Sequence, residues 1–263
     1  MLVDGKHAKI AGDSFGPSKS EKNMGFIMCG RFVLKSTSSE IADQFGLSGV
    51  PDLLLHYNIA PTQSIPIIRT PAGTRECPMA RWGLIPSWSK EPKTEYSTFN
   101  ARAETVPTKP AFRAAFRQRR CIIPVDGFFE WLRSGASKSP YYISFADNQP
   151  FAFAGLWERW EKEGQAVESC TIIVTKANDL MRPIHDRMPV ILADEDYDQW
   201  LDPTIVDAAR IQSLLKPCPS QWLQAYPVSP AVNNSRNEGE DLIKPLPPPL
   251  FDYEVGDNFK GYA

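Results

Sequence analysis

Residues 121–175 hold a run of strand-like segments: Cys121 to Leu132, Tyr141 to Phe145, Phe151 to Trp157 and Ser169 to Thr175. Each is rich in β-branched and aromatic residues, and Gly-rich or polar turns join them, including a hairpin signal at residues 134–137. Strands that follow one another so closely leave no room for crossover helices, so the pattern excludes an alternating βαβ chain. Further strands are expected at Cys29 to Leu34, Ser64 to Arg69, Glu76 to Leu84, Arg187 to Leu192 and Trp222 to Val228. Helices are expected from Thr37 to Phe45, capped by Ser36 or Thr37, and from Lys109 to Arg119. Shorter helices are read at Asn178 to Met181, Asp194 to Leu201 and Val206 to Leu215, and Tyr57 to Thr62 is read as loop. The fold expected is α+β: a single domain with a mostly antiparallel, barrel-like sheet and peripheral helices.

Residues 1–28 mix Gly, Ser, Lys and Asp without an apolar period and are expected to be a disordered leader. The domain is placed at 29–245, and the Pro-rich end, 246–263, is expected to be loose. No apolar run reaches the roughly 18–20 residues that a membrane span needs, so no membrane partner is expected. Five widely spread cysteines without a CxxC pair, and three histidines, speak against a zinc site or a disulfide frame. No metal and no cofactor are expected.

The formal net charge is −2, so no global basic field exists. Locally, 101–133 carries seven basic residues against three acidic ones, while 193–241 carries three against nine. A nucleic-acid partner would therefore be held by a local patch.

One short stretch stands out for chemistry. A cysteine at a chain start presents an α-amine, pKa about 7.7–8.0, beside a thiol near 8.5. Met28-Cys29-Gly30-Arg31-Phe32 offers such a residue, but only if residues 1–28 are absent. In an extended reading of Thr98 to Glu104, Asn100, Arg102 and Glu104 share one face. Alternation puts Glu130 on a face with Phe128 and Leu132, where burial would raise its pKa toward that of a working acid–base. His185 lies in Ile184-His185-Asp186-Arg187. Each has an ordinary structural reading as well: a buried thiol, a polar strand edge, a surface glutamate and a structural histidine.

Together these pieces, with Tyr57-Asn58-Ile59-Ala60-Pro61, Trp82-Gly83-Leu84-Ile85-Pro86-Ser87-Trp88, Asp126-Gly127-Phe128-Phe129-Glu130-Trp131 and the later Pro227-Val228-Ser229 with Val232-Asn233, resemble the SOS response-associated peptidase (SRAP) family. The resemblance runs from about Met28 to Pro245. It implies an activity in the DNA damage response: a covalent thiazolidine crosslink, through N-terminal Cys29, to abasic sites in single-stranded DNA. It implies Asn100, Glu130 and His185 as the other catalytic residues, and Arg31 and Arg102 as DNA contacts. Trp82 and Trp88 are candidate stacking surfaces, and Arg113, Arg117 and Arg120 a candidate phosphate track. The family also implies thiol autopeptidase and lyase-like activity, a monomer, and a nucleoid-associated or nuclear location according to source. A start-site artefact, a propeptide and a retained leader all remain open for residues 1–28. A cysteine peptidase acting on other proteins, or a non-covalent single-strand binder, are the competing functions.

Overall fold

The computed structural model describes residues 29–247 apart from 72, 95, 96 and 136, so the leader and most of the Pro-rich end lie outside the described residues. Two curled sheets enclose the main core. The first has the order β13 (Leu223–Pro227), β8 (Ser137–Phe145), β7 (Gly127–Ser134), β1 (Phe32–Leu34) and β2 (His56–Ile59). The second runs β12 (Ile191–Leu192), β9 (Phe151–Lys162), β10 (Gln165–Lys176), β4 (Met79–Trp82) and β3 (Ser64–Pro66). In it β6 (Arg120–Val125) joins β9, while β5 (Asn100–Arg102) and β11 (Arg187–Pro189) join β10.

Every pairing is antiparallel except those of β10 with β4 and β5. The α+β, mostly antiparallel architecture expected from the order of segments is the one adopted. Helix α1 (Ser38–Phe45) starts in a reciprocal capping box between Thr37 and Glu40, which identifies Thr37 and not Ser36 as the cap. It stops at Gly46, whose φ of 62° suits glycine. Helix α2 (Arg113–Gln118) turns Ala115 and Phe116 inward. Neither α3 (Tyr197–Leu201) nor α4 (Ala208–Gln212) exceeds five residues, and no described helix is long and apolar enough to cross a membrane.

Several boundaries differ from expectation for identifiable reasons. Cys121 to Leu132 reads as one strand, but the chain breaks at Asp126 and passes from one sheet to the other. Asp126 accepts the backbone N–H groups of Lys35 and Ser36 at 2.6 and 2.8 Å and the Ser36 hydroxyl at 2.6 Å. That grip fixes the turn after β1 against the crossing point. Gly127 follows because the Tyr142 ring lies over it: a Cβ would come within 2.4 Å of the phenol. Gly127→Ala is therefore expected to destabilise the fold by about 1–3 kcal/mol, read as a lower urea midpoint. An unchanged midpoint would contradict the close approach.

His56–Ile59 is a strand although Asn58 and the flanking Pro51 and Pro61 suggest a loop. Its Asn58 is fully buried and donates to the carbonyls of Val232, Asn234 and Asn237. This one side chain ties the polar return after β13 to the first sheet. Asn178 to Met181 forms turns instead of a helix, and Arg187 to Leu192 is split into β11 and β12. The backbone of Leu246 still bonds Pro227, one residue past the expected boundary.

Candidate active site

The cluster forms where β1 begins beside β7. Phe32 pairs with Phe128, and Phe129 N–H donates to the Arg31 carbonyl, so the residues just before β1 lie along Glu130. The Cys29 backbone N–H donates to Glu130 Oε1 at 2.5 Å. From the second sheet, Asn100 at the start of β5 sends its Nδ2 to the Cys29 carbonyl at 3.4 Å. Three residues 30 to 101 positions apart in sequence thus converge on one backbone unit.

Phe128 faces the main core and Phe129 a second, smaller one, so β7 is covered on both faces where it carries Glu130. That carboxyl is 1% exposed. Burial pushes its pKa up to about 8, against the opposing pull of the Cys29 and Trp131 N–H groups. Burial, and then the Glu130 charge, push the Cys29 thiol well above its ordinary value. At neutral pH the resting pair is a neutral acid beside a neutral thiol.

The Asp186 charge raises the pKa of both Glu130 and His185. His185 Nδ1 accepts the backbone N–H of Arg187 at 3.0 Å, and Asp186 Oδ1 also lies 3.0 Å from it. The two contacts ask for opposite protonation of Nδ1. Burial outweighs the Asp186 charge and lowers the imidazole pKa, so we take the neutral ring, with its proton on Nε2.

The raised Glu130 pKa has a consequence for stability. Where the Cys29 nitrogen is an amide, the folded chain keeps this proton up to about pH 8, while the unfolded carboxyl loses it near pH ~4.3. The folded state therefore holds the extra proton between those values. Its contribution to stability is fully present below the lower pKa and is lost as pH rises through the upper one. Glu130→Gln is expected to flatten the fall in melting temperature across this window; identical profiles would contradict a buried neutral carboxyl.

Other expected contacts separate. Trp82 is fully buried, with its ring edge-on to Phe32 at 5.2 Å and its Nε1 donating to the Phe99 carbonyl at 2.8 Å, so it has no free face for a base. Trp88 is 62% exposed and keeps an open ring. Arg31 does not point its guanidinium outward. Nη1 donates to Asn58 Oδ1 and to the Val232 carbonyl, both at 2.9 Å, and Nη2 reaches the Asn233 carbonyl at 3.4 Å. Arg102 is exposed two residues after Asn100, and Arg113 and Arg117 are exposed on α2. Arg120 is buried: its guanidinium donates to the carbonyls of Phe116, Arg117, Trp200, Asp202 and Ile205 and so pins α2 and α3 to β6.

Sequence reasoning missed Asp186 and Arg187. Arg187 fixes the histidine tautomer through its N–H and bonds Glu104 Oε1 at 2.5 Å through its guanidinium. Both lie in the motif that drew attention to His185. The five cysteines are free and buried. Among the described residues, no group of three His, Cys, Asp or Glu side chains is placed to hold a metal ion.

A family model described as "SOS response associated peptidase (SRAP)" matches residues 28–235. The abasic site processing protein YoqW of Bacillus subtilis (strain 168) is 45% identical over 222 residues, which span 82% of this chain and 99% of that protein. The abasic site processing protein HMCES of Xenopus tropicalis is 36% identical over 219 residues, 71% of this chain and 65% of the relative. A crystal structure of a protein from Bacteroides thetaiotaomicron superposes with a TM-score of 0.74 at 31% identity, covering 83% of this chain and all of that one.

Proposed function

The chain belongs to the SOS response associated peptidase (SRAP) family, and from this we propose that it processes abasic sites in DNA by bonding to them through Cys29. The observation that carries the reading is the contact of the Cys29 nitrogen with the buried carboxyl of Glu130. Relatives named for abasic site processing supply the substrate class.

An abasic sugar equilibrates between a closed ring and an open aldehyde. Glu130, neutral at pH 7, donates a proton to the ring oxygen as the C1–ring oxygen bond breaks, and the carboxylate left behind takes the proton of the C1 hydroxyl as the aldehyde forms. If Cys29 begins the chain, its nitrogen is an amine placed where the amide N–H now lies. The amine lone pair attacks the aldehyde carbon, and the carbinolamine loses one water to give the imine. Cys29 Sγ then bonds the imine carbon as the thiol proton passes to nitrogen, which closes a five-membered thiazolidine. The net change is loss of one water, without an oxidant or reductant. Asn100 holds the Cys29 carbonyl, and neutral His185, with Nε2–H directed by the Arg187 contact, serves proton transfer in formation and reversal. The exposed ring of Trp88 offers a stacking surface for an unpaired base, which suits single-stranded DNA.

An amide at Cys29 blocks this chemistry, because its lone pair is delocalised. The site is also suited to freeing that nitrogen. Cys29 has φ of 39°, in the left-handed region that strains a non-glycine residue. Its N–H is held by the acid that would protonate a departing amine. A general cysteine peptidase is less well served, since it needs a stabilised thiolate, whereas Glu130 pushes the thiol further from ionising. The test is a denaturation-resistant adduct between the chain starting at Cys29 and single-stranded DNA bearing one abasic site. The family model begins at residue 28, so this domain is expected to stand without the residues before Cys29.

A further inference from the structure

The backbone around His185 is pinned residue by residue. The N–H groups of Ile184 and His185 both donate to the Met181 carbonyl, at 2.8 and 2.9 Å. Ala177 N–H donates to the Asp186 carbonyl at 3.0 Å, and Arg187 opens β11 opposite Lys176. Movement in this turn is therefore left to side chains. That of His185 is 8% exposed, and that of Asp186 is 84% exposed.

Two groups compete for one ring atom. His185 Nδ1 accepts the Arg187 N–H at 3.0 Å, and Asp186 Oδ1 stands at the same distance. A neutral ring with its proton on Nε2 satisfies the first contact but sets a lone pair against a carboxylate in the second. A ring protonated on both nitrogens reverses the preference, because Nδ1–H donates to the carboxylate and can no longer accept from Arg187. The Arg187 N–H is held by β11, whereas the exposed Asp186 side chain can turn to follow the ring. The charges that act on the ring are Asp186 and Arg187 of its own turn and Arg133 of β7, and of these Asp186 is the one that favours imidazolium.

We propose that Asp186 is the counter-ion of His185, a positioning residue that takes over Nδ1 from the Arg187 N–H whenever the ring gains its second proton. The proposal rests on the reading that the crosslink forms and reverses at this site. A neutral imidazole is a poor acid, and Asp186 makes the acidic form attainable. In reversal the thiazolidine C–S bond breaks, sulfur leaves with the bonding pair and takes the His185 Nε2 proton, and the nitrogen lone pair forms the iminium. Water then hydrolyses the iminium to the aldehyde and the protonated α-amine. The remaining ring proton stays on Nδ1, paired with Asp186, until exchange with solvent restores the resting tautomer.

The test is a pH titration of the full chain by NMR with ¹⁵N-labelled histidine, the His185 signals being assigned by their loss in His185→Asn. Asp186→Asn also removes a charge that acts on Glu130, so the ring is observed directly and not through rates alone. At high pH the parent should show a lone pair on Nδ1 and a proton on Nε2. Asp186→Asn should lower the His185 pKa by about 0.2–0.7 units, the range of an exposed ion pair. Asp186→Glu, which keeps the charge, should return most of that shift, and about 1 M salt should shrink it. Adduct reversal in Asp186→Asn should fall by the matching factor, about 1.5–5-fold above the His185 pKa, and equal the parent below it. A His185 pKa within about 0.1 unit of the parent in Asp186→Asn would overturn the proposal, as would a neutral parent ring with its proton on Nδ1. A parent that forms no adduct, while the ring still responds to Asp186→Asn, would overturn the underlying reading and leave the ion pair without its role in reversal.

Discussion

Glutamine at position 130 should slow adduct formation by about 10²–10⁴-fold, the range of a lost general acid–base. The substitution keeps the shape and the oxygen that accepts the Cys29 N–H, so positioning is preserved while the proton is lost. The size of the effect follows from where the carboxyl lies. In a chain that begins at Cys29, one proton is shared between the α-amine and Glu130, as a neutral pair or as ammonium and carboxylate. Only the neutral pair reacts, because attack needs a free amine and ring opening needs an acid. Burial disfavours the charged pair, so the apolar walls of β7 hold the site in its reactive form. Glu130→Asp keeps the acid but withdraws it by a methylene, and should fall between parent and Glu130→Gln. Rates for Glu130→Gln within about threefold of the parent would remove Glu130 from the chemistry.

The second large effect concerns Cys29. Cys29→Ala should leave an amine that forms at most an imine, which hydrolyses, so the denaturation-resistant adduct falls to background. Cys29→Ser should behave in the same way on this assay, since its hydroxyl is a far weaker nucleophile than the thiol. Cys121→Ala should retain the adduct, because Cys121 is a fully buried β6 residue facing Gly155 in the core. Acetylation of the Cys29 amine separates the two proposed chemistries. It should abolish the adduct, whereas a peptidase working through the thiol alone would survive it.

The grouping of Cys29, Asn100 and Glu130 was implied by the resemblance of their motifs to the SRAP family; alternation gave only the strand faces of Asn100 and Glu130, which lie on β5 and β7, while Cys29 lies just before β1. Burial was less legible. Trp82 and Trp88 lie six residues apart in one motif, yet one ring fills the core and the other is open. Arg31 and Arg120 look like phosphate ligands in sequence, but backbone carbonyls occupy both guanidinium groups. Those carbonyls belong to segments up to 202 residues away, a distance across which local patterns carry no information. The break at Asp126 was hidden for the same reason, since the N–H groups it captures are about 90 residues earlier.

The central claim is tested most directly by intact-mass measurement of the chain starting at Cys29 after incubation with single-stranded DNA bearing one abasic site. The expected product has the mass of protein plus DNA less one water, maps to the N-terminal peptide, and does not form when residues 1–28 remain attached. An adduct that maps to another residue, or no adduct from the chain starting at Cys29, would contradict it.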